Sequence, residues 1–449
     1  MPANLSFIRK ACVNSLQMIH TPQLPVSGWL FCFLLFFSGV KAQPAVPGQP
    51  LPGWKPGYLD LHHINTGRGN AAFFILPDGT NLLVDAGELD PTAPRNTSAR
   101  NAVIRPNSSK QPYEWVVDYI RQFSPRKEKT VIDYALITHF HDDHFGGWYP
   151  GAPVAANKKF VRSGITGIGD IIPVHLLLTR DYHYPVDPDS LLKKLPDDNH
   201  FKKSWTNYIG FLESAPAGLK NEFLQAGSVS QIHLVYAPAM YPSFQIRNLK
   251  SNGFIWTGKD SIAAQHFPAI DLKNAHTWPD ENTLSNAILI KYGAFSYYTG
   301  GDNPGNVFLG DSSWRDIESF LAPIVGAVDV ATMDHHGNRD AVNETLIKTL
   351  QPRVWIEQVW TADHPGHETL IRIMSKLYSG PRDLFATNML EANKLVIGPL
   401  IDQSYKSQQG HILVRVMPGG TSYYVIILDD ATTDRLVKAV FGPYQAKNL

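Results

Sequence analysis

One short segment of the sequence carries a high density of side chains that bind metals. Residues 138–144 include His139, His141, Asp142, Asp143 and His144. Burying so many polar groups costs free energy unless a cation organises them, because each group removed from water needs a partner. The largely apolar run 132–137 before it predicts a short strand, and Gly146-Gly147 behind it lets the backbone turn back tightly. The sequence therefore predicts a metal site on a loop at a sheet edge.

Two later segments carry side chains that could complete this site. Asp302 follows a predicted strand and two glycines, and His335-His336 follows the next predicted strand and precedes a glycine. Each motif alone is weak evidence, because a carboxylate after two glycines is usually part of a simple turn. All three clusters lie at the carboxyl ends of predicted strands, where the sites of layered α/β folds gather. Their joint occurrence predicts one shared site.

The spacing of these residues suits two metal ions. His139 and His141 alternate along an extended loop, so their side chains lie on the same side and suit one ion. Asp143 and His144 follow a bend and suit the second ion, while Asp302 is placed to bridge both. Imidazole and carboxylate ligands fit Zn²⁺, and they also fit Mn²⁺ or Fe.

The amino terminus has the pattern of an export signal. A basic stretch at Arg9 precedes the apolar run 29–40 and small residues at 40–42. The run is shorter than the roughly 20 residues that span a membrane. Residues 1–42 are therefore expected to be a signal peptide, with Met18 open as an alternative start. We expect an exported protein, periplasmic or secreted, with no transmembrane segment in the mature chain.

The composition limits the kinds of site and of partner. Both cysteines, Cys12 and Cys32, lie in the signal, so the mature chain would have no disulfide and no thiolate metal ligand. The chain has 40 basic and 40 acidic residues, and removing the signal takes away three bases and no acid, which leaves a net charge of about −3. This argues against an extensive nucleic-acid surface, because such binding needs phosphate neutralisation.

Apolar periodicity predicts an α/β fold with helices outside the sheets. Strands are expected at 59–65, 71–76, 81–85, 132–137, 285–291, 295–299, 327–333, 354–359, 411–417 and 422–428. Helices are expected at 113–123, 314–321, 342–350 and 370–377. Residues 43–57 are an extended lead-in to a domain at 58–449. The weakly periodic region 151–279 is expected to be an insertion that has its own elements and covers the site.

The order of these clusters resembles that of the metallo-β-lactamase superfamily. The matching residues are His139, His141, Asp143, His144, Asp302, His335 and His336. The likeness extends over residues 59–428 and implies an αββα sandwich of two mixed β-sheets with outer helices. Asp85, at the end of an early strand, matches the family's first motif. Its implied role is to hold a ligand histidine without touching metal.

Three further segments, 67–71, 282–290 and 363–365, are similar to those of one subgroup. This subgroup comprises the hydrolase domain of DNA-uptake (competence) channel proteins and the phosphorylcholine esterases of bacterial surfaces. The likeness implies Asn70, Asn286 and His364 as substrate contacts. Many superfamily members have one more ligand histidine before the bridging aspartate. The histidines in that interval that stand in no matching motif are His175, His183, His200, His233, His266 and His276. The subgroup tends to lack this ligand, which argues against a β-lactamase and leaves the first ion one ligand short.

The resemblance implies an exported binuclear hydrolase that cleaves phosphodiesters with a metal-bound hydroxide. Two divalent ions, expected to be Zn²⁺, would activate water and neutralise a phosphate. Asp143 and His335 are the expected catalytic side chains. His336 is the expected ligand and His335 the phosphate contact or proton donor, although the reverse order stays open. The expected substrate is a small or envelope-derived phosphorylated molecule. The alternatives are a lactone, amide or thioester hydrolase, and a non-catalytic surface-binding protein with a structural metal.

Overall fold

Two mixed β-sheets form the centre of the protein, with helices against their outer faces. The computed structural model describes residues 45–214, 218–271, 273–274, 277–307, 311–376 and 380–447. The first sheet has nine strands: β1 (Leu59–His63), β2 (Ala71–Ile75), β3 (Asn81–Ala86), β4 (Ile132–Leu136), β5 (Val174–Thr179), β6 (Lys220–Phe223), β16 (His411–Val416), β17 (Ser422–Leu428) and β18 (Val437–Gln445). The second also has nine: β7 (Phe244–Ser251), β8 (Phe254–Trp256), β9 (Ala263–Gln265), β10 (Ala287–Tyr292), β11 (Phe295–Thr299), β12 (Val330–Thr332), β13 (Val354–Glu357), β14 (Asp383–Ala386) and β15 (Tyr405–Ser407).

The strand order brings several carboxyl ends to one edge of each sheet. In the first sheet the order is β18-β17-β16-β1-β2-β3-β4-β5-β6, and the pairs from β3 to β6 are parallel. In the second the order is β15-β14-β13-β12-β11-β10-β7-β8-β9, and the pairs from β11 to β15 are parallel. Parallel neighbours end on the same side, so the segments that follow β4, β11 and β12 can meet there.

Ten helices are present in the described ranges. They are α1 (Pro112–Phe123), α2 (Asp142–Phe145), α3 (Gly164–Ile171), α4 (Pro188–Leu192), α5 (His200–Ser214), α6 (Glu318–Val325), α7 (Glu344–Leu350), α8 (His367–Met374), α9 (Glu391–Ile397) and α10 (Pro399–Ser404). None of them is long and apolar enough to span a membrane. The predicted signal at 1–42 lies outside the described residues.

The core has three layers of apolar side chains. Phe74 of β2 and Ile288 of β10 belong to one cluster between the two sheets. The adjacent residue of β2, Phe73, points to the other face and joins Tyr119 of α1 in a second cluster. Trp355 of β13 lies in a third cluster with side chains of α6, α7 and α8. Each large apolar side chain buried in this way contributes roughly 1.5–3 kcal/mol. Central strands are therefore buried on both faces.

Most predicted elements have close counterparts, and the differences have local causes. The strand predicted at 295–299 is β11, and the helix predicted at 113–123 is α1, which begins one residue earlier. The helix predicted at 314–321 is instead a short 3₁₀ turn, Ser313–Arg315, followed by α6. Helix α8 begins three residues before the predicted start at 370. The prediction missed its first turn because that turn is polar and carries no apolar periodicity.

The region 151–279 belongs to both sheets. Its strands β5 and β6 extend the first sheet, and β7, β8 and β9 form one side of the second. The elements expected within this region exist, but the region is more than an added cover. The lead-in has no helix or strand in its described part, and it is tied to β18 by a hydrogen bond from Gly48 N to Val437 O of 2.8 Å.

Candidate metal centre

The loop after β4 begins with a carboxylate from the neighbouring strand. Asp85 of β3 accepts hydrogen bonds from the backbone N and the Oγ1 of Thr138, at 2.7 and 2.9 Å. Its Oδ2 also lies 2.8 Å from Nδ1 of His144. Asp85 is buried and has a φ of 59°, a left-handed conformation that costs free energy outside glycine. Asp85 thus joins the backbone of Thr138 to the imidazole of His144.

His144 and His336 face each other through their Nε2 atoms, 3.3 Å apart. Nδ1 of His336 donates to the backbone oxygen of Gln358 at 2.9 Å, because a carbonyl oxygen can only accept. Nδ1 of His144 likewise donates to the Asp85 carboxylate. When each ring carries one proton, both Nε2 atoms therefore point lone pairs at the same place. Two lone pairs so close repel each other, and a cation between them removes the repulsion.

Two carboxylates complete this donor group. Asp143 Oδ2 lies 3.2 Å from the Nε2 of His336, and Asp302 Oδ1 lies 3.1 Å from the Nε2 of His144. One donor atom from each of the four residues lies within 4.8 Å of the other three. All four side chains are buried, in a number and chemistry that suit a divalent cation. The donor set therefore fits a metal ion.

A second donor group shares Asp302. It consists of His139, His141 and Asp302, with the Nε2 of His139 3.1 Å from the Nδ1 of His141 and 3.7 Å from Asp302 Oδ2. His139 is fully buried, whereas His141 is exposed on the cavity side. We call the six residues of both groups the metal-ligand cluster: His139, His141, Asp143, His144, Asp302 and His336. Within the described part of the chain, this second group has three donors.

The backbone around these ligands is strained. His335 and His336 have φ values of 44° and 53°, and both lie in the left-handed region. Gly301, which precedes the shared aspartate, has a φ of 61°, and a Cβ there would lie 2.9 Å from the Cβ of Thr138. Strain of this kind is found where the surrounding fold enforces a functional geometry. Here it turns the two adjacent imidazoles in different directions.

The two adjacent histidines have different surroundings. His336 belongs to the four-residue donor group and is buried. The side chain of His335 is 17% exposed, and its Nδ1 lies 2.7 Å from Asp340 Oδ1. Its Nε2 is 3.2 Å from the side-chain nitrogen of Asn282 and 3.9 Å from Asp302 Oδ2. His336 thus lies among the donors that could hold a metal ion, and His335 is a neighbour that reaches the open side.

The electrostatics favour ionised carboxylates. Burial raises the pKa of Asp143 and of Asp302, but the imidazoles of His144 and His336 outweigh it and hold both values below the usual range. Burial, together with the neighbouring His144, lowers the pKa of His139 well below its usual value. Ionised carboxylates and neutral imidazoles are the forms that bind metal.

The pKa of His144 shifts in the opposite direction to that of His139. Burial would lower the pKa of His144, but Asp302, Asp143 and Asp85 raise it well above the usual value. The three carboxylates therefore attract either a proton or a metal ion to this position. A metal ion would compete with the proton, so metal binding at this group is expected to release protons.

A cavity of 410 Å³ opens over the metal-ligand cluster. Asp143, Asp302 and His335 belong to its polar wall, and Phe201 and Trp360 to its aromatic wall. This main cavity has the size of an ordinary small-molecule site, roughly 300–1,000 Å³. The arrangement combines buried donors for a cation with an open space in which a substrate could contact it.

No protein-family model matches the chain, and no curated protein matches it significantly. The chemistry of the site must therefore be inferred from its own residues.

The three predicted substrate contacts differ in position. His364 is buried, lines the main cavity and stacks on the ring of His336 with a centroid distance of 4.4 Å. Asn70 does not line this cavity; its backbone N donates to the backbone oxygen of Asp143 at 2.7 Å. Asn286 is also absent from the cavity wall, and its side-chain nitrogen donates to the backbone oxygen of Ile137, just after β4, at 3.0 Å. The two asparagines brace the ligand loop from behind.

The described histidines of the 151–279 region stay outside the ligand groups. His200 lies at the mouth of the main cavity, where its Nε2 is 2.6 Å from Asp142 Oδ2. That hydrogen bond raises the pKa of His200. His175, His183, His233 and His266 have polar partners away from the cluster. The last candidate, His276, lies outside the described residues.

Sequence reasoning missed several residues of the cavity wall. Trp360 lies edge-on to both His336 and His364, with centroid distances of 6.2 and 5.3 Å. Arg95 also lines the cavity, although it comes from a segment rich in proline and asparagine that resembles a surface loop. Asp142 also lines the cavity and was visible in the sequence, since it lies inside the histidine motif. The others are brought to the site by long-range packing alone.

Proposed function

We propose that the protein is a metal-dependent hydrolase with the metallo-β-lactamase fold, and that its substrates are phosphodiesters. One observation carries the proposal: two His/Asp donor groups share Asp302 at the floor of an open cavity. The layering of two mixed sheets with helices outside supports the fold assignment, as does the position of the ligands at strand carboxyl ends. The sequence resemblance supports the choice of phosphodiesters.

Two divalent ions can be assigned to the donor atoms. One would be held by Asp143, His144, Asp302 and His336, and the other by His139, His141 and the same aspartate. Histidine and carboxylate donors suit Zn²⁺, with Mn²⁺ and Fe as alternatives. When bound, such ions supply Lewis acidity and lower the pKa of water toward neutrality.

The protein's own side chains would orient the substrate. His335 is held through Nδ1 by Asp340, and its Nε2, 3.2 Å from the amide nitrogen of Asn282, lies on the cavity side, where the two groups together would face a substrate oxygen. The side chains of Asn282 and Arg95 line the same space and can donate hydrogen bonds to anionic oxygens. Trp360 and His364, which contact each other edge-on at 5.3 Å, form an aromatic part of the same cavity wall. Donors on one side and an apolar wall on the other suit a phosphate ester with an organic substituent.

The decisive experiment combines metal analysis with a substrate screen. The protein, loaded separately with Zn²⁺, Mn²⁺ and Fe²⁺, is assayed on bis-p-nitrophenyl phosphate, nitrocefin and simple lactones. Turnover of the diester alone supports the proposal. Preferential hydrolysis of nitrocefin or a lactone instead favours another hydrolase of this fold. A tightly bound ion with no hydrolysis of any ester favours a non-catalytic protein with a structural metal.

A matched pair of variants tests the shared carboxylate. Asp302→Ala should abolish turnover and release metal, because Asp302 is common to both donor groups. Asp329→Ala is the control: Asp329 is also fully buried, and it accepts hydrogen bonds from Ser296 N and Lys447 N at 2.9 and 2.8 Å, away from the cluster. The control should lose stability but keep metal and activity per folded molecule. Substantial residual activity in Asp302→Ala would refute the bridging role.

A further inference from the structure

A second cavity of 230 Å³ adjoins the main cavity, and we call it the aromatic chamber. Phe140, Phe201 and Trp205 belong to the walls of both spaces. Phe201 and Trp205 lie one turn apart on α5, with their rings stacked at a centroid distance of 6.4 Å. Phe201 is 37% exposed, so part of its ring faces open space. A substituent on a molecule held over the metal-ligand cluster would reach the chamber past these shared rings.

Six aromatic rings belong to the lining of the chamber, and most of its other lining residues are aliphatic. Tyr182, Tyr184 and Trp278 add to the three shared rings. The rings of Tyr182 and Trp205 contact each other edge-on at 4.9 Å, and those of Phe140 and Trp205 do so at 5.3 Å. Such walls offer faces and edges on which a flat ring can stack. The lining therefore favours a ring over a flexible polar group.

The charges in the chamber are already neutralised. Arg180 donates from Nε and Nη2 to the two carboxylate oxygens of Glu281, both at 2.7 Å. Its Nη1 donates to the backbone oxygens of Asp181 and Tyr184. The guanidinium also lies 5.1 Å from the ring centroid of Phe140, so a cation already occupies that ring face. Among the described residues of the lining, Arg180 and Glu281 are the charged side chains and they pair with each other, which points to an uncharged occupant.

We propose that the substrate of the metal-ligand cluster carries an uncharged, flat aromatic group that occupies the aromatic chamber while the ester lies over the cluster. The chamber is larger than the ~150 Å³ that accommodates a benzene ring, so it has room for a bicyclic ring of naphthyl or indole size. This inference rests on the proposed function and narrows it from phosphodiesters in general to diesters with an aryl-bearing substituent.

The test uses two diesters with the same reporter. Methyl p-nitrophenyl phosphate and 2-naphthylmethyl p-nitrophenyl phosphate release the same phenolate and differ only in the group that the chamber would bind. We expect kcat/KM of the metal-loaded protein to be at least about tenfold higher for the naphthylmethyl ester, because the ring is buried against apolar walls. Equal values for the two esters would overturn the inference.

Two tryptophan variants separate the chamber from general effects. Trp278→Ala removes a chamber wall, and Trp256→Ala is a matched control outside both cavities. The two indoles have similar settings: Trp278 Nε1 donates to Asp271 O at 3.0 Å, and Trp256 Nε1 donates to Asp260 O at 3.1 Å. Trp278→Ala should remove most of the naphthyl preference and leave the methyl ester within about twofold, while the control should change neither. An equal loss of kcat/KM for both esters, or the same loss in both variants, contradicts binding of the aromatic group in the chamber.

A binding measurement keeps the inference independent of turnover. The metal-free protein is dialysed to equilibrium against 2-naphthalenemethanol, and bound ligand is measured by naphthyl absorbance. Saturable binding is expected for the unmodified chain and for Trp256→Ala, with at least a tenfold loss of affinity in Trp278→Ala. Absence of saturable binding overturns the inference. Binding without hydrolysis of either ester overturns the proposed function alone.

Discussion

The carboxylate of Asp85 should control metal affinity without touching the metal. In the substitution Asp85→Asn, the amide oxygen can still accept from the backbone N of Thr138, and the amide nitrogen can donate to the Oγ1 of the same residue. That nitrogen then also faces Nδ1 of His144, which lies 2.8 Å from the original oxygen, and an amide nitrogen cannot accept a hydrogen bond from Nδ1. The imidazole must therefore change tautomer and place its hydrogen on Nε2, which faces Asp302.

The magnitude follows from this tautomer change. A proton on Nε2 of His144 occupies the lone pair that would bind metal, so the four-residue donor group is left with three ligands. Loss of such a supporting hydrogen bond usually costs 10–100-fold in metal affinity, which corresponds to about 1.4–2.7 kcal/mol. The group of His139 and His141 keeps its geometry. The variant should therefore lose one tightly bound ion and keep the other binding step nearly unchanged.

The assay is a competition between the protein and a zinc-chelating dye at neutral pH, with the number of tightly bound ions counted by elemental analysis. The control is Asp78→Asn, because Asp78 also accepts three hydrogen bonds, from the backbone N–H groups of Thr80, Tyr236 and Ala237, but lies in the turn between β2 and β3. The control should bind metal as the unmodified chain does. Affinities in Asp85→Asn within about twofold of the unmodified protein would refute the positioning role.

Three further predictions concern stability and backbone geometry. Asp60→Ala should lower the free energy of unfolding by about 3–5 kcal/mol in urea titrations, because it leaves the buried guanidinium of Arg415, now held at 2.9 and 2.7 Å, without its partner; a loss below 1 kcal/mol would contradict this. Burial lowers the pKa of His62 to about 3, so its contribution to stability is complete above pH 6.5 and falls by about 1.4 kcal/mol per pH unit as the pH drops from 6.5 toward 3. His62→Gln should reduce that slope by about 1.4 kcal/mol per pH unit, which corresponds to one proton taken up on unfolding. An unchanged slope would count against a lowered pKa of His62. Gly87→Ala should displace the ligand loop and weaken metal binding in the dye assay, because its Cβ would lie 1.9 Å from the backbone oxygen of Asp143; unchanged metal binding would show that the loop can yield.

Much of the ligand set could be predicted because its signals are local. His139, His141 and His144 lie within six residues of one another, directly after an apolar strand. Asp302 follows a strand and two glycines, and His336 follows a strand and precedes a glycine. The rule that sites gather at the carboxyl ends of parallel strands then brings distant motifs to one place. The structure places all of them in two donor groups around one shared aspartate.

Other elements lacked a local signal. Strand β14 has only four residues, all buried, so no alternation of polar and apolar side chains announces it. Strand β18 contains Gly442-Pro443, a pair that normally indicates a turn. Prolines and scattered aromatic residues between 151 and 279 conceal strands that extend both sheets. These strands are stabilised by their neighbours in the sheet more than by their own sequence.

The amino-acid sequence by itself determined which atoms can bind a cation, because imidazole and carboxylate groups in this order have few other uses. Only the tertiary structure decided how they are oriented. Asp143 and His336 are 193 residues apart and meet at 3.2 Å. The same folding turned Asn70 and Asn286 into braces behind the loop and placed Trp278 in a chamber beside the cavity. Side-chain direction depends on packing between distant segments, and local spacing does not contain that information.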